Sequence, residues 1–114
     1  MRRDLARKHL DQRFAQWQPT SNFACPPRGW VRAIREAMGM TAAQLAIRLN
    51  VSKPRVSAME KGELNRTLTL ETISRVAEAM NCTFVYALVP NTSLEDMVME
   101  QAHKKVAERL ARVD

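Results

Sequence analysis

From Ser52 to Ala58 the chain reads Ser-Lys-Pro-Arg-Val-Ser-Ala, a helix-capping hydroxyl followed by two long cations and several small residues. At the start of a helix, these types suit the edges of base pairs. A Lys ammonium or Arg guanidinium donates to guanine O6 and N7, and a small apolar group meets a thymine methyl. A helix entering the major groove presents its N-terminal residues to the bases. Ser52, Lys53, Pro54, Arg55, Ser57 and Ala58 are therefore the candidate base readers, with Lys53 ahead of Arg55, which can also turn outward to a phosphate. Thr41 and Gln44, at the start of a preceding helix, and Asn65, Arg66 and Thr67, after Gly62, are candidate phosphate contacts, because helix N-termini and exposed loop donors favour anions. Lys61 and Arg48 are weaker candidates that fit solvated surface charges equally well.

The elements that must hold these residues follow from apolar periodicity. Residues 2–17 place Leu5, His9, Leu10, Phe14 and Trp17 on one side of a helix. Phe14 and Trp17 read as packing anchors rather than base-stacking residues, since they fall on the apolar side. Residues 18–28 contain Pro19, Pro26 and Pro27 and read as a linker. Val31, Ile34 and Met38 mark the next helix, which Gly39 ends. Thr41-x-x-Gln44 is a capping-box pattern, and Ala42, Leu45, Ala46 and Leu49 form the stripe behind it. Ser52 starts the following helix, Pro54 sits in its first turn where a missing N–H costs little, and Val56 and Met59 point inward. Thr69 opens another helix along Leu70, Ile73, Ala77 and Met80. Ser93 starts the last, with Leu94, Val98, Ala102, Val106, Leu110 and Val113 in one stripe.

The stretch 82–89 breaks this pattern. It is rich in β-branched and aromatic residues and ends at Pro90, so it reads as a strand. One strand leaves both edges unpaired, and no second is evident. Pairing of Phe84, Val85, Tyr86, Ala87 and Leu88 with the same residues of another copy solves this through a two-fold axis. A homodimer is expected, with a buried irregular or helical segment as the alternative.

Composition narrows the function. The 114 residues carry +6, with thirteen Lys/Arg against five Asp/Glu up to Arg66 and five against seven thereafter. This asymmetry suits a half that faces a polyanion, although a solvated basic surface would look the same. Cys25 and Cys82 make no disulfide framework or Cys-x-x-Cys motif. His9 and His103 are too isolated to form a metal cluster with them, so neither a metal nor another cofactor is expected. There is no Ser/His/Asp or Cys/His constellation, no HExxH and no glycine-rich phosphate loop, so an enzyme is not expected. No signal peptide or membrane span is evident, which points to the cytoplasm.

Thr41-Ala-Ala-Gln-Leu-Ala-Ile-Arg-Leu-Asn-Val-Ser-Lys-Pro-Arg-Val-Ser-Ala-Met-Glu-Lys-Gly62 resembles the helix-turn-helix of the phage-repressor-like (XRE, Cro/C1) family. The small Ala46, the turn residue Asn50 and the wedge of Val51, Val56 and Met59 carry the likeness. The resemblance implies that Gly29–Met80 is the family's five-helix domain or most of it, with an internal ion pair between Arg35 and Glu60. The family usually places a phosphate-binding Gln directly after the Thr/Ser cap, and this chain has Ala42 there. The whole chain also resembles the small family called mobile mystery protein A, through Leu10-Asp-Gln-Arg13, Pro27-Arg-Gly-Trp30 and Tyr86-Ala-Leu-Val-Pro90. That likeness implies an antitoxin-like regulator with a Fic-type toxin partner encoded beside it.

The expected protein is mostly α. It has an N-terminal helix and linker (1–28), a repressor-like helix-turn-helix domain (29–81), and a dimer-pairing strand with a C-terminal helix (82–114). Its expected role is a dimeric repressor on a palindromic operator in double-stranded DNA, autoregulating an operon with the toxin. The alternatives are an antitoxin whose helix-turn-helix mainly scaffolds a protein interaction, and an RNA-binding module, which lacks the usual aromatic platform.

Overall fold

Four short hydroxyl residues settle where most helices begin. The Thr41, Ser52, Thr69 and Ser93 side chains each accept a hydrogen bond from the backbone N–H three residues on, at 3.1, 3.3, 3.1 and 3.1 Å. Each thereby satisfies one of the donors that a helix start leaves unpaired. The computed structural model describes residues 2–112; Val113, placed in the last apolar stripe, lies outside them. The helices are α1 (Arg3–Ala15), α2 (Trp30–Ala37), α3 (Ala42–Leu49), α4 (Lys53–Asn65), α5 (Leu70–Ala79) and α6 (Leu94–Ala111), with a 3-10 turn at Thr20–Phe23. Three of the breaks between them use left-handed backbone at Asn50, Arg66 and Asn81, with φ of 57°, 59° and 57°. Asn tolerates that region better than most side chains.

The chain divides into two units, Ala24–Tyr86 and a second formed from the segments before and after it. In the first, α2 to α5 surround a core of Val31, Met40, Leu45, Ala46, Val56, Met59, Val76 and Met80. The small Ala46 is buried in that core, as the close crossing of a helix-turn-helix demands. Gly62 is also buried, and a Cβ there would stand 3.1 Å from the Leu68 side chain. Met38, expected on the inward stripe of α2, is instead its C-cap and exposed. The helix ends one residue earlier, and the turn through Gly39 (φ +68°) delivers Met40 to the core.

This unit contains four helices rather than five. After Asn81 the chain leaves the helical region, and residues 82–90 carry no regular structure. No strand forms among the described residues, and the reason is the one the sequence raises: a ladder needs a second extended segment. The N–H and C=O groups of residues 83–92 make no hydrogen bond to described residues. Phe84 and Tyr86 stack, with centroids 5.9 Å apart, as alternate residues of an extended chain do. Val85 and Leu88 are 80% and 81% exposed.

The second unit consists mainly of α1 and α6. The Asp11 carboxylate accepts from the backbone N–H groups of Leu94 and Glu95 at 2.8 and 3.3 Å, and so caps α6 from another helix. Arg7 pairs with Glu95 at 3.1 Å. Phe14 and Trp17 are half-buried and meet edge to face at 5.8 Å, consistent with packing anchors. Leu5 and Leu10, expected on the same side, are exposed, whereas Ala6 and Asp11 are half-buried: the inward face is rotated toward the capping carboxylate. Neither α1 nor α6 contains a fully buried residue.

Glu63 makes the corresponding link in the first unit. Its carboxylate accepts from the Trp30 and Val31 N–H groups at 2.6 and 3.0 Å, capping α2 from α4. Gly29 permits this approach: its φ is +89°, and a Cβ there would lie 2.9 Å from Glu63 Oε1. Glu63→Ala is expected to lower unfolding stability by ~2 kcal/mol, the scale of charge-assisted bonds left unmade. Gly29→Ala should cost more in a urea titration than Gly39→Ala, which meets open space and carries only its backbone strain of ~1 kcal/mol.

Candidate nucleic-acid interface

The capped start of α4 sorts the proposed base readers into separate groups. Lys53, Pro54, Ser57, Ala58 and Lys61 line one shallow concavity on its exposed side. Their spacing of one, three and four residues places them on one face of a helix. Lys53 and Lys61 make that face basic, Ser57 adds a hydroxyl, and Pro54 with Ala58 adds apolar contact. Ser52 does not line it; it is the N-cap just before α4, with its Oγ engaged by the Arg55 N–H. Its hydroxyl proton is still available to donate. Arg55 does not line this concavity. It borders a second hollow, together with Leu49, Val51, Met59, Thr72, Arg75 and Val76, between α4 and its neighbours α3 and α5.

The phosphate candidates are also distinguished by how their polar atoms are engaged. Thr41 and Gln44 form the full capping box: Gln44 N–H donates to Thr41 Oγ1 at 3.1 Å, and Thr41 N–H to Gln44 Oε1 at 2.9 Å. The Thr41 hydroxyl proton and the Gln44 side-chain amide nitrogen still point to no described acceptor. Ala42, between them in sequence, is half-buried and packs against the core. Asn65 ends α4, and Arg66 follows in left-handed backbone with its side chain exposed. Thr67 is different: its N–H and its hydroxyl both go to the Gly62 carbonyl, at 2.8 and 3.4 Å. Its role in this geometry is to close the end of α4. Arg48 is likewise engaged, donating to the Ala79 carbonyl at the end of α5 at 3.0 Å.

Behind the exposed face lies the ion pair. Arg35 Nε meets Glu60 Oε1 at 2.8 Å, Arg35 Nη2 meets Glu60 Oε2 at 3.4 Å, and Nη1 donates to the Met40 carbonyl at 3.1 Å. The two side chains are only 11% and 12% exposed. This forked geometry suits a guanidinium and a carboxylate. It joins α2 to α4 and to the turn before α3.

Several residues were passed over by sequence reasoning. Glu63 follows Glu60 by three positions and Val56 by seven, so its inward position was readable; its partners, the N–H groups of α2, were not. Asp11 carries no sequence signal of its capping role beyond its place in Leu10-Asp-Gln-Arg13. Arg75 carries no motif and gains meaning only from the pocket it shares with Arg55. Cys25 lies with its Sγ 3.7 Å from Glu63 Oε2. Although Cys25 is exposed as a residue, partial desolvation of its sulfur, followed by the negative Glu63 carboxylate, holds the thiol above the usual range, which disfavours the reactive thiolate. No group of three or more candidate metal ligands occurs among the described residues.

Residues 31–86 match a family model described as Helix-turn-helix. The match supports a DNA-binding transcription regulator of the XRE type, and it covers α2 to α5 and the extended segment as far as Tyr86. No curated protein and no solved structure matches the chain. Among the described residues no helix is long and apolar enough to cross a membrane.

Arg35→Ala and Glu60→Ala are each expected to destabilise the fold by ~3 kcal/mol, because each leaves a mostly buried charge without its partner. The double variant should lose less than the two single losses combined. A denaturant double-mutant cycle measures this coupling, and additive losses would show that the pair does not hold α2 to α4.

Proposed function

We propose that the protein is a dimeric, sequence-specific DNA-binding repressor that places α4 in the major groove of a palindromic operator. The observation that carries this reading is the exposed face of Lys53, Pro54, Ser57, Ala58 and Lys61, backed by a helix pair locked through Arg35 and Glu60. Lys53 and Ser57 donate to base edges, and Pro54 and Ala58 meet thymine methyl groups. Ser52 closes the reading end. Thr41, Gln44, Lys61, Asn65 and Arg66 contact phosphates on either side and set the register.

The dimer is supported by the unsatisfied backbone of residues 83–92 and the exposed Val85, Tyr86 and Leu88 within it. Pairing of Phe84–Leu88 with a second copy would satisfy those groups and bring two reading helices under one two-fold axis. Autoregulation of an operon with a Fic-type toxin rests on the resemblance to mobile mystery protein A alone. In that arrangement the toxin docks on the unit of α1 and α6, which buries little of its own apolar surface.

Fluorescence anisotropy with a duplex from the upstream region of the chain's own gene tests the reading. Wild type should discriminate this duplex from random sequence, with half-sites about 10 bp apart or a multiple of that. Lys53→Ala should lower the discrimination ~10-fold or more, as expected for a lost base contact worth ~1–3 kcal/mol, while its thermal melt stays unchanged. Retained discrimination would remove Lys53 from base readout. Light scattering should find a dimer; a monomer at working concentration would end the strand-pairing proposal.

A further inference from the structure

The hollow bordered by Arg55, Thr72 and Arg75 has a floor of Leu49, Val51, Met59 and Val76. Both arginines are exposed, and among the described residues neither lies within 4 Å of a carboxylate. Two arginine side chains from different helices thus border one pocket, and neither is paired with a carboxylate. Like charges brought together in this way repel, and a shared anion reverses the sign of the interaction. A guanidinium pair with a hydroxyl beside it matches the oxygens of a phosphate, which accept forked N–H donors well.

The placement indicates which phosphate. An α-helix with its side chains is about 10–12 Å across, and the major groove is about 12 Å wide. Such a helix fills the groove, so residues on its flanks meet the sugar–phosphate walls rather than base edges. At 3.6 residues per turn, Arg55 lies roughly 130° round α4 from the centre of the Lys53–Lys61 face, on the side turned toward α5. Arg75 reaches the same hollow from the second turn of α5.

We propose that Arg55 and Arg75, with the Thr72 hydroxyl, form a clamp for a single backbone phosphate of the bound duplex. The clamp rests on the reading of α4 as the groove-entering helix, and it moves Arg55 from base readout to positioning. It also supplies a backbone contact on the α5 side of the reading helix, away from the α3 N-terminus.

Arg55→Gln, Arg75→Gln and the double variant, each checked for an unchanged thermal melt, are titrated with operator and random duplex over a range of salt. Each neutralised phosphate contributes about 0.9 to the slope of log K against log salt. Each single variant should lose affinity equally for both duplexes and lower the slope by about 1. Because both side chains hold one phosphate, the losses in log K should fail to add in the double variant. Unchanged slopes would overturn the clamp, and additive losses would overturn its convergence on one phosphate. A fall in operator preference for Arg75→Gln would make the residue a base reader instead. If wild type bound no duplex, the DNA-binding reading itself would fall. Inorganic phosphate would then decide the pocket: arginine side-chain NMR shifts in wild type but not in Arg75→Gln would retain an anion site, and their absence would remove it.

Discussion

Two carboxylates on the inward side of α4 hold that helix to α2. Glu60 takes the Arg35 guanidinium, and Glu63, less than one turn later, caps the N-terminus of α2. These bonds are charge-assisted, and the Arg35–Glu60 and Val31–Glu63 bonds are partly shielded from water, where such bonds are stronger than on an open surface. Their effect is geometric. With α2 tied at two points along α4, rotation of α4 about its axis is resisted, and the Lys53–Lys61 face stays outward while Val56 and Met59 stay in the core. Gly29 belongs to the same constraint, because only a residue without a Cβ admits the Glu63 carboxylate so close to the chain.

The polar side chains near this face divide between building the unit and remaining available to a ligand. Thr67 and Arg48 spend their donors on carbonyls at helix ends. The hydroxyl oxygens of Thr41 and Ser52 accept capping bonds, yet their protons remain free, as does the side-chain amide nitrogen of Gln44. Lys53, Lys61 and Arg66 have no carboxylate partner among the described residues and stay exposed. A helix start can therefore be capped and still offer donors outward, because a hydroxyl accepts with its lone pairs and donates with its proton.

The same accounting exposes what a single chain leaves unmet. Residues 83–92 present backbone donors and acceptors without partners, and α1 and α6 bury no residue fully while Met97, Val98, Val106 and Leu110 remain accessible. The two cases differ in kind. Unpaired backbone asks for another extended segment, whereas an exposed apolar stripe asks only for apolar area and does not specify its source.

Local signals determined much of this protein. Thr41, Ser52, Thr69 and Ser93 act within three residues of themselves, so the helix starts they mark were legible from spacing alone. The inward stripes of α3 and α4 were legible for the same reason: a periodicity of 3.6 turns a linear pattern into a face. The Arg35–Glu60 pair was legible through family likeness, since nothing in a chain shows that positions 25 apart will meet. What only the tertiary structure decided are the relations between distant segments. Glu63 finds the start of α2 thirty-two and thirty-three residues away, and Asp11 finds the start of α6 more than eighty away. Met40 replaces Met38 in the core because the Gly39 turn redirects the chain, and Arg55, already set apart from Lys53 by helical spacing, shares a hollow with Arg75 only because α5 borders it too. Residues 82–90 have the composition of a strand and no partner within the chain; composition sets a preference for extended backbone, but a ladder is a property of two segments.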